Sequence, residues 1–201
     1  MSHNIDKIFY INLDKRTDRR DEIEYELAKC GIKAERFTGI YYKPGIVGCG
    51  KSHLAVIKLA KERGYKNVLI LEDDFTFEVS KEEFEMSLNN FFSSGIEYDV
   101  CMLSTSLECK KEHTNAPYLV QVIESTNACA YIVNGNYYDK LIDLYEYALP
   151  LLEITEQHWI YANDQIWKYL QKTDKWFCFY PYLGHQRPGY SDNSEQFIEN
   201  T

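Results

Sequence analysis

Residues 67–74 read Asn-Val-Leu-Ile-Leu-Glu-Asp-Asp, and their reading decides the fold. The apolar run predicts a strand over 67–71, buried on both faces. Three acids follow at once: Glu72, Asp73 and Asp74. In open α/β sheets, ligands sit beyond the carboxyl ends of the strands. Side chains alternate along an extended chain, so Glu72 and Asp74 are expected on one side. Two carboxylates there suit a divalent cation with a preference for oxygen, Mn²⁺ or Mg²⁺, which also bridges to phosphate. Acids after a buried strand also restore solubility and cap the next turn.

Upstream, a strand is predicted at 8–13, and Asp18 then caps a helix over 19–30 that Gly31 stops. A weaker strand lies at 34–38. Residues 39–50, glycine-rich with Pro44, read as a loop before a helix at 51–63. Downstream, Ser80 and Glu83 form a capping box that opens a helix to 92. Strands follow at 99–103, 119–124 and 128–133, then a helix at 136–148 closed by Pro150. Asn163 opens a helix over 163–171, a strand spans 176–180, and the chain from Pro181 reads as irregular. Strands alternating with helices imply parallel pairing, and the adjacent later strands make the sheet mixed.

The 201 residues fit one domain, without repeats or an obvious linker. Net charge is −9, from 22 basic and 31 acidic residues, which argues against a nucleic-acid binder. An anionic substrate would need a local cationic pocket or a metal ion. No apolar run approaches the ~20 residues of a membrane span. The N-terminus is too polar for a signal peptide, so a cytoplasmic setting with reduced thiols is expected. None of the six cysteines forms a Cys-x-x-Cys pair, which argues against a structural zinc site. Aromatic residues make up 15%, with 17 tyrosines; some can stack on sugars or bases, but most are expected in the core.

Residues 45–52, Gly-Ile-Val-Gly-Cys-Gly-Lys-Ser, fit the P-loop pattern letter for letter. A P-loop must leave a buried strand directly. Tyr41-Tyr42-Lys43-Pro44 is polar and proline-broken, so a phosphotransferase using Lys51 is the weaker reading.

Several segments together resemble glycosyltransferase family 25, the lipooligosaccharide and procollagen galactosyltransferase-like enzymes. Ile11-Asn12-Leu13-Asp14-Lys15-Arg16-Thr17-Asp18-Arg19-Arg20 is similar to the family's opening I-N-L-x-x-R-x-x-R segment. Gly48-Cys49-Gly50-Lys51-Ser52-His53 resembles G-C-x-x-S-H, and Leu71-Glu72-Asp73-Asp74 resembles L-E-D-D. Looser likenesses are Ala128-Cys129-Ala130-Tyr131, Asn163-Asp164, and the tail Gln186-Arg187-Pro188-Gly189-Tyr190-Ser191-Asp192. Asn163 stands where the family commonly has proline, and Gly50-Lys51 is an unusual pair within its motif.

The resemblance implies a GT-A fold, a Rossmann-like α/β sandwich with a mostly parallel, partly mixed sheet, in one unit over 1–201 whose 181–201 tail contributes to the site. It implies inverting transfer of a hexose, galactose or glucose, from a UDP-sugar to a glycan, glycolipid or hydroxylysine hydroxyl, with Mn²⁺ or Mg²⁺. Asn12, Leu13, Arg16, Arg19, Arg20, Ser52, His53 and Asp73 become the expected nucleotide-sugar residues. Glu72, Asp74 and His185 become the expected metal ligands, and Asp164 the base that takes the acceptor proton. Plainer roles stand beside these: a turn for Asn12, a core hydrogen bond for His53, a helix-dipole acid for Asp164 and a surface position for His185. A GT-A domain that binds glycan without turnover is a further alternative.

Overall fold

The computed structural model describes residues 5–113, 115–191 and 196–198. Met1–Asn4 and Asp192, the last residue of the tail motif, lie outside these. The first half runs β1 (Lys7–Asn12), α1 (Thr17–Lys29), β2 (Glu35–Thr38), α2 (Gly45–Glu62), β3 (Asn67–Glu72), β4 (Phe75–Phe77) and α3 (Lys81–Ser93). Next come β5 (Val100–Glu112), β6 (Leu119–Asn134) and α4 (Tyr138–Thr155). Three single-turn helices follow, α5 (His158–Tyr161), α6 (Asn163–Ile166) and α7 (Lys168–Gln171), then β7 (Trp176–Phe179). The tail holds β8 (Gly184–Gln186), β9 (Gly189–Ser191) and β10 (Gln196–Ile198).

A six-stranded sheet has the order β2-β1-β3-β6-β5-β7. β1 is parallel to β2 and β3, β5 is parallel to β7, and β6 runs antiparallel between β3 and β5. β3 alternates as an extended chain must: Val68 and Ile70 enter one core with α2 and α4, while Leu69 and Leu71 enter the other with α1 and α3. Burial on both faces explains why residues 68–71 are uniformly apolar. The result is a three-layer α/β sandwich. No helix among the described residues is long and apolar enough to cross a membrane.

Several local expectations are corrected. The glycine-rich segment is loop only through Pro44: α2 starts at Gly45, with Pro44 at its N-cap. Gly48 serves packing there, since a Cβ on it would sit 2.6 Å from the Ile40 carbonyl oxygen. Pro150 lies inside α4, which continues to Thr155 because Leu149 and Leu152 remain in the core. The N-cap of α1 is Arg16 and not Asp18, which sits in the first turn and pairs with Arg16. The two strands expected at 119–124 and 128–133 are one, β6, with Asn127 at φ 75° between them. Asparagine tolerates this left-handed backbone better than most residues. The helix expected at 163–171 is broken at Trp167, and the tail carries short strands, β8 pairing with β4 and β9 with β10. The capping box at Ser80 and Glu83 forms as expected.

Candidate functional site

Parallel pairing of β2, β1 and β3 brings their carboxyl ends together beside the first turns of α1 and α2. The cleft there is lined by Asn12, Leu13, Arg16 and Arg19, the Ile40–Tyr42 loop, Cys49, Ser52, His53, the acids Glu72 to Asp74, and Gln186. Most of the residues expected to bind a nucleotide-sugar therefore converge, although they come from separate segments.

Asn12 is buried, and both ends of its amide are engaged. Nδ2 donates to Asp73 Oδ2 at 2.7 Å and to the Arg16 carbonyl at 3.0 Å, while Oδ1 accepts from Arg36 Nε at 3.0 Å. Asp73 and Asp74 form a turn after β3, so the simple alternation expected for Glu72 and Asp74 ends at Glu72. Both aspartates turn to Arg19, whose Nη1 lies 3.1 Å from Asp73 Oδ1 and 2.9 Å from Asp74 Oδ2. Arg19 Nη2 donates to the Tyr190 carbonyl at 2.8 Å, and Arg16 Nη1 donates to the same carbonyl at 3.3 Å. The tail thus touches both arginines.

Glu72 faces the other way, toward α2. Its Oε1 lies 2.8 Å from His53 Nε2 and accepts from Cys49 Sγ at 3.7 Å. His53 Nδ1 meets the Tyr131 hydroxyl at 2.7 Å, and the two rings stack. Ser52 holds the backbone together, since its Oγ accepts from the Ile40 amide at 2.8 Å and donates to the Gly48 carbonyl at 2.7 Å.

Asp164 is not among the residues lining the cleft, yet hydrogen bonds connect it. The Asn127 amide donates to Asp164 Oδ2 at 3.0 Å, and Asn127 Nδ2 donates to Gln186 Oε1 at 3.1 Å. Gln186 Nε2 then donates to Asp74 Oδ2 at 3.1 Å.

Two expected residues point elsewhere. Arg20 pairs with Glu24 on the outer side of α1. His185 precedes Gln186 on β8, so alternation turns it away from the acids, and its Nδ1 lies 2.9 Å from Glu78. Lys51, the lysine of the P-loop pattern, lies over the Tyr42 ring and 3.2 Å from Glu153. With residues 45–51 helical, no loop remains to cradle phosphates. Sequence reasoning assigned no role to Cys49, Arg36, Tyr131, Asn127 or Gln186. The i, i+4 spacing of Cys49 and His53 was the available signal, hidden by the expectation of a loop up to residue 50.

The charges do not balance. Burial and the Glu72 charge push the Asp74 carboxyl up to about 7, despite Arg19. Burial also raises Asp73, against Arg19 and Asn12. Burial would raise Glu72 too, but the hydrogen bond and charge of His53, the Arg19 charge and the Cys49 hydrogen bond together lower it. Asp164 is raised by burial, with the Glu72 charge adding to the rise. Burial disfavours the Arg19 cation, but Asp74 and Asp73 hold its pKa above the ordinary value. Asp74 Oδ1 is buried without a hydrogen-bond partner among the described residues. Two buried aspartates sharing one arginine, with an oxygen orphaned among the described residues, fit a divalent cation. Among the described residues, one group combines sulfur, nitrogen and oxygen donors: Cys49, His53 and Glu72, whose donor atoms lie within 4.8 Å of one another.

No protein-family model matches the chain. A "Glycosyltransferase 25 family member" from Drosophila melanogaster is 26% identical over 189 residues, covering 74% of this chain and 31% of that protein. A protein of the same description from Drosophila pseudoobscura pseudoobscura is 28% identical over 124 residues, covering 48% of this chain and 20% of that one. The chain therefore spans less than a third of the length of these curated relatives. Among solved structures, the glycosyltransferase GlyE of Streptococcus pneumoniae TIGR4 superposes with a TM-score of 0.50 at 9% identity, over 89% of this chain and 46% of that one. That likeness concerns the fold. The resemblance to glycosyltransferase family 25 is borne out by relatives that carry the family's name, on a chain with the GT-A fold.

Proposed function

We propose that this chain is a metal-dependent inverting glycosyltransferase that moves a hexose, galactose or glucose, from a UDP-sugar to a hydroxyl on a glycan, glycolipid or hydroxylysine. The observation that carries this reading is the buried acidic turn at Asp73 and Asp74. It is held by Arg19, carries one carboxylate oxygen without a partner among the described residues, and stands at the strand ends beside Asn12 and Arg16.

In this reading Asp74, with Glu72 or Asp73, holds Mn²⁺ or Mg²⁺, which supplies positive charge against the diphosphate leaving group. Arg16 and Arg19 line the cleft and put positive charge beside the phosphates, while their forks hold Asp18, Asp73, Asp74 and the Tyr190 carbonyl. Asn12 fixes Asp73 and, with Leu13, shapes the wall of the cleft. The acceptor oxygen attacks the anomeric carbon opposite the phosphate oxygen. The bond to that oxygen breaks, its electron pair leaves with the diphosphate, and Asp164 takes the hydroxyl proton. Attack from the opposite face inverts the anomeric centre.

Calorimetry of UDP binding, with Mn²⁺ and with EDTA, tests the metal role. Tighter binding with Mn²⁺ is expected, and equal affinity in both removes it. UDP release from a panel of UDP-sugars with hydroxyl acceptors tests the reaction. Binding without release from any donor would make the chain a binding module.

A further inference from the structure

We propose that Cys49, His53 and Glu72 form a site for a thiophilic divalent metal, zinc in particular, at the floor of the cleft. Such a site does not depend on sugar transfer. Cys49 and His53 lie one turn apart on α2 and so project from the same helix face, opposite Glu72 at the end of β3. Glu72 Oε1 is 2.8 Å from His53 Nε2 and 3.7 Å from Cys49 Sγ, and the donor atoms all lie within 4.8 Å. Tetrahedral zinc holds sulfur at about 2.3 Å and nitrogen or oxygen at about 2.0–2.2 Å, which spaces its donors roughly 3.3–3.6 Å apart. Side-chain shifts of roughly 1 Å bring these three into that range.

The surroundings are those of a metal-ligating histidine. His53 is buried, its ring stacks on Tyr131, and its Nδ1 meets the Tyr131 hydroxyl at 2.7 Å. That contact fixes the ring with Nε2 toward Glu72, as a partner on the second ring nitrogen does in metal sites. On binding, the Cys49 thiol proton leaves to solvent, and the His53 ring proton that faces Glu72 from Nε2 relocates to Nδ1, where the Tyr131 oxygen accepts it. No oxidation is involved. Cys49, His53 and Glu72 all line the cleft, so the fourth coordination position opens into it. Sulfur and imidazole select zinc over manganese or magnesium, whereas the carboxylates of Asp73 and Asp74 suit the harder ions. Glu72 stands between the two donor sets.

Cobalt titration of the chelator-stripped full chain tests the site. One equivalent of Co²⁺ should give a thiolate-to-cobalt charge-transfer band and the intense visible bands of a tetrahedral ion, and Zn²⁺ should bleach both. Cys49→Ser should remove the charge-transfer band, and Cys109→Ser, at an exposed thiol, should retain it. Tyr131→Phe should weaken Co²⁺ binding tenfold or more. Wild-type protein that shows no charge-transfer band, or a band that survives in Cys49→Ser, overturns the proposal. The wild-type spectrum decides even if a variant fails to fold.

Discussion

Gln186 and Asp74 are 112 positions apart in the chain, yet the Gln186 amide donates to the Asp74 carboxylate at 3.1 Å. The same Gln186 accepts from Asn127, whose backbone N–H holds Asp164. A single file of hydrogen bonds therefore runs from the proposed base to the proposed metal ligand.

Asp74→Asn should nearly abolish transfer while the protein stays folded. The amide keeps the shape and removes one anionic ligand. A loss of about 3–4 kcal/mol of transition-state stabilisation is a few hundredfold in rate. Because the metal-free cluster carries excess negative charge, the variant's melting temperature without metal should not fall. Turnover and melting measured on one preparation check both; wild-type turnover with unaltered metal dependence would displace the site.

Arg19→Met should destabilise the metal-free protein by about 3 kcal/mol, because it strands two buried carboxylates. Arg19→Lys should recover only part of this, since an ammonium lacks the fork that reaches Asp73, Asp74 and the Tyr190 carbonyl. Urea midpoints at unchanged slope give the comparison. A loss below about 0.5 kcal/mol for Arg19→Met would show the pair to be unimportant.

Asp164 predicts a pH profile. A base works deprotonated, and burial raises this carboxyl above its ordinary value. kcat/KM should therefore fall as pH drops through a point above the ordinary value of an aspartate. Asp164→Asn should lose about 10²–10⁴-fold and flatten that acid limb. An unchanged limb in the variant assigns the base elsewhere.

Lys51→Ala should leave turnover within several-fold of the parent and stability within about 1 kcal/mol, because Lys51 meets Tyr42 and Glu153 at the surface. His185→Ala should leave metal dependence unchanged, since that ring faces Glu78. A thousandfold loss in the first, or lost metal response in the second, would reverse these assignments.

The sandwich was legible from residues 67–74 because a strand buried on both faces must be uniformly apolar, and that pattern is local. The convergence of Asn12, Arg19 and the acids was legible because parallel strands place their carboxyl ends together. What escaped depends on tertiary partners. Gly48 reads as a loop residue until the Ile40 carbonyl is seen against it, and Pro150 reads as a stop until Leu149 and Leu152 are seen in the core. Gln186 and His185 are neighbours, and only the pairing of β8 with β4 decides which one faces Asp74.

Ser52 carries a consequence for how a ligand docks. By joining the Ile40 amide to the Gly48 carbonyl, it fixes one wall of the cleft to α2 in the free protein. Ordering a slack loop takes about 1–2 kcal/mol per residue in lost backbone freedom. A wall already in place spares the ligand that term. Association should then resemble insertion into a rigid socket, with little slow rearrangement after first contact and an entropy of binding set mainly by water leaving the cleft.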